Sequence, residues 1–426
     1  MHPRGKCMLA AIAAAATLTL SACGGAALAS VQQPAAQQPA AQRPAVLPSS
    51  GPATFTPVTV APLGTAPAAF PGTDGRYHLV YEYELTNTKA APATIERADI
   101  LDAASPSRVL ATWSGKALIG QLRTLLPAPA TTAVIEPDVS RLLFVELSFP
   151  SRSAVPAAVT LHLQLRAAAN PGTSTPTPMQ YTAGRITISP ASLPVISPPL
   201  AGKGWVVGNG CCNNLITHRG SFQSIDGGLY DGQRFAIDYM RLNAAGELVS
   251  GDTHQESSYV DYGASVLAVA NATVVSTANN LPNQPPGTLP DPGSFNTVEE
   301  VDGNQVTLSL GHGLYAFYAH LIEGSVTVHR GERVHTGEVI GKLGNSGNTS
   351  APHLHFQITS GPVPLGSEGV PYVIGGLGLA GQINIAKWEA SDDIVGVWAP
   401  GWTRNKVTPE NGRFPLNVNI VNFPQT

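Results

Sequence analysis

The chain is predicted to be mainly β: an N-terminal antiparallel β-sandwich followed by a C-terminal antiparallel β-sheet domain. Three observations predict this. Charged residues make up only 12% of the 426 residues, against about 25% in ordinary soluble proteins, while 43 glycines and 37 prolines disfavour long helices. Apolar and polar residues alternate with a period of two in several short runs. Those runs are separated by Pro/Gly/Asn clusters that read as turns.

Taken in order, His2, Arg4 and Lys6 precede an apolar stretch, Met8 to Leu20, of signal-peptide length and too short to span a bilayer. It ends in Leu20-Ser21-Ala22-Cys23, which resembles a bacterial lipoprotein box; residues 1–23 then form the signal and Cys23 carries the lipid. Ordinary secretion with cleavage after Ala27-Leu28-Ala29 is the alternative. Residues 24–52 are Ala/Pro/Gln-rich, bury nothing and read as a tether. Residues 53–190 carry the first strands. Tyr77, Leu79, Tyr81, Tyr83 and Leu85 alternate with His78, Glu82 and Glu84, and Leu143, Val145, Leu147 and Phe149 share a face. Val159, Leu161, Leu163 and Leu165 alternate with His162, Gln164 and Arg166. Such runs predict a sandwich with His78 and His162 on solvated faces. A Pro/Ser-rich linker spans 191–203. The second β-rich domain spans 204–381, with strands at 266–270, 273–276, 305–310, 315–319 and 354–358 and a Pro/Gly/Asn-rich insertion over 279–295. Residues 382–426 read as an irregular C-terminal extension. The adjacent Cys211 and Cys212 can pair in an oxidising compartment or remain thiols.

The chemistry concentrates late in the chain. His353-Leu354-His355 places two imidazoles on one face of an extended segment, and imidazole is a common zinc ligand. Upstream lies Tyr318-Ala319-His320-Leu321, and between them stand Gly331 to Gly341 and Gly344-Asn345-Ser346-Gly347-Asn348. Together these motifs resemble the lysostaphin/LytM-type zinc metalloendopeptidases that cut peptidoglycan. The resemblance covers 204–377 and is strongest over 306–358.

The resemblance implies a LytM-type peptidase domain, one Zn2+ and five site residues. In the family a His, an Asp and the second His of His-x-His hold zinc, while two further histidines handle protons and the oxyanion. The second His is His355, the first is His353, and the Tyr-x-His-Leu histidine is His320. Asp238 matches the ligand Asp; it sits in the alternating run Gln233 to Tyr239, where a carboxylate among apolar residues calls for a partner. The family's first His stands four residues before that Asp, but Arg234 occupies this place. His218 is expected to serve instead, with His254 as the rival. His312, His329 and His335 are expected at the surface.

The implied function is zinc-dependent hydrolysis of peptide cross-links in peptidoglycan at the cell envelope. His320 and His353 would share the proton transfers, in either order. The alternative is a LytM-type fold without catalysis that binds the wall or regulates other hydrolases; Arg234 favours it, while the retained histidines and Asp238 favour the enzyme. A net charge of −4 argues against nucleic acid as a partner. Membrane association is expected only through a lipid on Cys23; the sequence leaves oligomeric state open. Gly376 to Gly381 matches G-x-G-x-x-G, but no amphipathic helix follows it and no βαβ unit surrounds it, so it is not read as a nucleotide site. Cys23→Ala should shift the exported protein from the membrane to the soluble fraction; a mature N-terminus at Ser30 would exclude the lipid anchor.

Overall fold

A computed structural model describes residues 53–425 except 126–127, 213–217, 292–293, 296 and 391–401. Cys23, the apolar stretch and most of the Ala/Pro/Gln segment lie outside the described residues. No described helix is long and apolar enough to cross a membrane.

The alternating runs of the first half form two facing antiparallel sheets. One is ordered Val58–Pro62, Tyr77–Asn87, Ser140–Phe149, Leu122–Arg123. The other is ordered Thr177–Thr187, Ala158–Ala167, Ala93–Asp102, Ser105–Ser114. Leu79, Tyr81, Tyr83 and Leu85 meet Leu143, Val145 and Leu147 in the core, facing Ile95, Ile100, Leu161, Leu163 and Leu165 of the other sheet. Tyr83 crosses between the layers and donates its hydroxyl to the Gly184 carbonyl at 2.7 Å.

The other face of Tyr77–Asn87 departs from expectation. His78 is 5% exposed and Glu82 fully buried, although alternation placed both toward solvent. The C-terminal half covers this face: Val80 and Phe70 join its core, and Phe144 packs on Phe222 at 5.9 Å between ring centroids. A polar residue on a strand faces solvent only if no second layer lands there. His162, by contrast, stays half-buried and bonds Thr182.

The second half is organised by one ten-stranded antiparallel sheet. Its order is Arg333–Val334, Ala272–Ala278, Asn304–Gly311, Leu314–Leu321, Leu354–Thr359, Ile237–Arg241, Gly202–Gly208, Asn419–Phe423, Leu377–Ile383, Trp402–Glu410. Val266 and Leu267 lie on a separate short strand paired with Val339–Lys342. Where it is described, the C-terminal segment is not irregular: it supplies the strands Trp402–Glu410 and Asn419–Phe423. Asn419–Phe423 runs between Gly202–Gly208 and Leu377–Ile383, with Ile420 and Val421 fully buried. Its turn residues concealed the strand, because Asn-Ile-Val-Asn-Phe has both faces covered and so does not alternate. Gly376 to Gly381 lies along Leu377–Ile383 rather than at a strand–helix turn. Cys211 and Cys212 are joined by a disulfide.

Ile420→Ala should cost about 2–5 kcal/mol, read from the denaturant midpoint. A loss below ~0.5 kcal/mol would mean that this strand does not belong to the sheet.

Candidate metal centre

Three of the five expected residues, Asp238, His320 and His355, lie on central strands of the large sheet, and His353 directly precedes one of these strands. Ile237–Arg241 and Leu354–Thr359 are neighbours, and Asp238 pairs directly opposite His355. Directly opposed residues share a face, so the carboxylate and the imidazole meet: His355 Nδ1 lies 3.1 Å from Asp238 Oδ1. The opposite face of the same strand, with Leu354, Phe356 and Ile358, belongs to the core. His353 stands two residues before His355 and reaches the same carboxylate, with Nε2 3.3 Å from Oδ1.

His320 arrives by a different route. Alternation along Leu314–Leu321 assigns it to the face of Ala316 and Tyr318, which is buried in the core. At φ +63° it adopts the left-handed conformation, uncommon for any residue but glycine. Its ring instead meets His353 at 4.7 Å and His355 at 5.9 Å between centroids. Ser346 secures it, the carbonyl accepting from His320 Nδ1 at 2.8 Å. Ser346 is itself held by its hydroxyl, which donates to the Leu321 carbonyl and accepts from the Asn304 amide. A Cβ on Gly303 would collide with the Ser346 backbone, so this crossing requires glycine.

His218 lies in a turn outside the sheet and is 6% exposed. Its Nε2 lies 3.2 Å from Asp238 Oδ2, and its Nδ1 faces the Ala236 carbonyl at 3.3 Å. The structure therefore brings His218, Asp238, His320, His353 and His355 together. His254 sits in an exposed turn, hydrogen-bonded to Asp252. His312, His329 and His335 are exposed, as expected.

Arg234 takes no part in this cluster. Its guanidinium is occupied by Glu82 at 2.9 Å, Glu368 at 2.8 Å and Asp231 at 3.2 Å, all buried. Burial pushes the Asp231 carboxyl well above the usual range, although Arg234 opposes this. Glu82 faces both Arg219 and Arg234, and Glu368 faces Arg234.

Hydrogen bonds select the free nitrogen of each ring. His355 Nε2 faces Gln357 Oε1 at 2.8 Å, while the Gln357 amide donates to Pro364. An oxygen acceptor there holds the proton on Nε2 and leaves the Nδ1 lone pair toward Asp238. In His218 the Ala236 carbonyl holds the proton on Nδ1, leaving Nε2 free. Asn209 donates to Asp238 Oδ2 at 2.8 Å. Burial opposes ionisation of Asp238, but His218 and His353 outweigh it and hold the carboxyl well below its usual range. Burial, reinforced by His353 and His355, pushes His320 well down and keeps it neutral. For His353 burial also pulls downward, yet Asp238 prevails and the net shift is upward.

The donor set fits a metal. His218, Asp238 and His355 each offer an atom, all within 4.8 Å of one another. Tetrahedral zinc with bonds of ~2.0–2.1 Å separates its ligand atoms by about 3.3 Å. His218 Nε2 lies 3.2 Å from Asp238 Oδ2 and His355 Nδ1 lies 3.1 Å from Asp238 Oδ1, so each imidazole stands at about that spacing from its own oxygen of the carboxylate. Two imidazole nitrogens and one carboxylate, flanked by two further histidines, are a donor set that zinc takes.

Comparisons with known proteins address the same region. Residues 257–366 match the family model of Peptidase family M23. That span holds His320, His353 and His355 and begins after Asp238. A 56-residue stretch is 43% identical to glycyl-glycine endopeptidase ALE-1 of Staphylococcus capitis, covering 13% of this chain and 15% of that protein. The match thus spans well under two thirds of the relative. The catalytic domain of the antimicrobial peptidase lysostaphin from Staphylococcus simulans is 22% identical, with a TM-score of 0.19 over 37% of this chain and 80% of that one. A zinc containing peptidase from Vibrio cholerae is 14% identical, with a TM-score of 0.20 over 72% and 84%. At these TM-scores neither likeness bears on the site. The M23 match and the ALE-1 identity show the peptidase resemblance read from the motifs.

Sequence reasoning passed over Gln357, Asn209 and Ser346. Gln357 was within reach, since the period of two that joins His353 to His355 places Gln357 on the same face. Asn209 and Ser346 carry only glycine-flanked turn signals. Gln357→Leu should weaken zinc binding by about 10–100-fold in a chelator competition. Unchanged affinity would show that Gln357 does not set the His355 tautomer.

Proposed function

We propose that this protein is a zinc-dependent endopeptidase that hydrolyses peptide cross-links of bacterial peptidoglycan at the cell envelope. The observation that carries the reading is the convergence of His218, Asp238 and His355 with their free donor atoms facing inward, flanked by His320 and His353. The M23 match over 257–366 supports the peptidase class. The substrate class follows ALE-1, a glycyl-glycine endopeptidase by name.

In this reading His218 Nε2, an Asp238 oxygen and His355 Nδ1 hold the metal. Bound there, zinc supplies a Lewis acid for the scissile carbonyl and lowers the pKa of a water toward ~7. The remaining work falls to the chain. His320 Nδ1 is committed to the Ser346 carbonyl and His353 Nδ1 to the Ala351 carbonyl at 2.9 Å. Each ring therefore takes or delivers a proton at Nε2, one accepting from the attacking water and the other donating to the leaving amine. Thr349 braces His353 from the same side, its hydroxyl 3.3 Å from Nδ1. Burial excludes bulk water and strengthens these contacts. Arg234 does not obstruct the reading, because its charge is spent on Glu82 and Glu368.

The test combines metal analysis with digestion of purified sacculi. The wild type should hold about one zinc per chain and lose activity on chelation. His218→Ala should lose zinc, whereas His320→Ala should keep zinc and lose about 10²–10⁴-fold in turnover. Full activity in the metal-free protein would overturn the mechanism; stoichiometric zinc without any cleavage would favour a wall-binding role.

A further inference from the structure

His218 differs from its two partners in how it is held. Asp238 and His355 are fixed by the register of adjacent strands, but His218 lies in a turn with no strand pairing. Its carbonyl accepts from the Ser221 amide and hydroxyl, and its ring leans on the Ala236 carbonyl. The Ser221 hydroxyl also reaches Gln233 Oε1 at 2.6 Å, and His218 Nε2 lies 3.2 Å from Asp238 Oδ2, so the described contacts of the turn within its own domain run to the segment 233–238 and to the His355 ring.

A further tie, through a buried side chain, comes from the N-terminal sandwich. Arg219, the residue after His218, is fully buried, and its side chain crosses into the first half of the chain. Its Nε donates to Glu82 Oε1 at 2.9 Å and its Nη2 to the Val145 carbonyl at 2.9 Å. The guanidinium lies 5.0 Å from the Phe144 ring centroid. The second oxygen of the same carboxylate, Glu82 Oε2, accepts from Arg234 Nε at 2.9 Å. Arg234 stands two residues before Ala236. One carboxylate thus grips both segments that form the His218–Ala236 hydrogen bond. It grips the first immediately after His218 and the second just before Ala236. Glu368 closes the far side through Arg234 Nη1 at 2.8 Å.

We infer that Glu82 of the N-terminal sandwich is a positioning residue for the metal centre, setting the place of the ligand His218 through Arg219 and Arg234. This rests on the zinc reading of the site. The sandwich is then no mere spacer: its strand Tyr77–Asn87 supplies the anion that the centre's one off-sheet ligand depends on. It also accounts for Arg234 at the place where the resemblance expects a histidine. With the first ligand moved to a turn, that place holds instead the cation that braces the turn. A buried carboxylate shared by two guanidiniums has little freedom to shift, since breaking either pair strands a charge away from water.

Glu82→Gln tests this in the full chain. Zinc dissociation constants come from chelator competition, and ligand geometry from the visible absorption spectrum of the Co2+-substituted protein. Circular dichroism and thermal unfolding of the metal-free protein report the fold. Glu82→Gln should weaken zinc binding by about 10–100-fold and alter the cobalt spectrum. Arg219→Lys keeps the charge but loses the forked geometry; it should do the same, and it decides the matter alone if Glu82→Gln does not fold. Asp102→Asn, which breaks the Arg108–Asp102 pair elsewhere in the sandwich, should leave both readouts at wild-type values. Wild-type affinity and spectrum in Glu82→Gln and Arg219→Lys would overturn the inference, as would an equal loss in Asp102→Asn. A wild-type protein that takes no zinc is a different outcome and removes the site reading itself.

Discussion

The pairing of Asp238 directly opposite His355 is the constraint on which the site depends. Side-chain direction in a strand repeats every two residues, so a slip of one residue would send the carboxylate into the core and the imidazole away from it. The register is held by the apolar residues between. Ile237 and Tyr239, Leu354, Phe356 and Ile358 fill the core face, and a slip of one residue in either strand would turn its share of them out of it. Packing of one face therefore secures the chemistry of the other. Gln357, on the site face, then selects which nitrogen of His355 is free.

Around this rigid pair the remaining groups are brought in by irregular backbone. His320 leaves the alternation of its strand through a left-handed residue, at a cost of order 1–3 kcal/mol. The hydrogen bond to Ser346 and the close crossing of Gly303 sustain it. The insertion after residue 278 contributes to the same wall: the amide of Gln284 donates to the Asn345 carbonyl at 2.6 Å, and that of Gly287 to Ser350 at 2.9 Å. These contacts brace the loop that leads into His353.

The interface between the two halves is unusual in its charge. Glu82, Arg219 and Asp231 are fully buried there, with Arg234 and Glu368 nearly so. Desolvating such groups is costly, and an apolar interface of similar volume would often be as stable. What the charges provide is direction, since guanidinium–carboxylate pairs tolerate few relative orientations. The apolar part of the same contact, with Phe70, Phe235 and Phe414 in mutual ring contact, contributes area rather than orientation.

The sequence by itself determined the β character of the chain and the set of histidines worth attention. A period of two, turn residues and His353-Leu354-His355 are local properties that survive without knowledge of the fold. The pairing of Asp238 with the distant His355 was legible only through the motif resemblance, because nothing local links residues 117 positions apart. Only the tertiary structure decided the rest. It buried His78 and Glu82 on a face that alternation assigned to water, because burial depends on which layer lands there. It placed Asn419–Phe423 inside the large sheet, because a strand covered on both sides does not alternate. It turned His320 away from Tyr318, because one left-handed residue reverses a face without leaving a signature in composition. It committed Arg234 to Glu82, because a side chain's partner is set by three-dimensional proximity and not by its place in a motif.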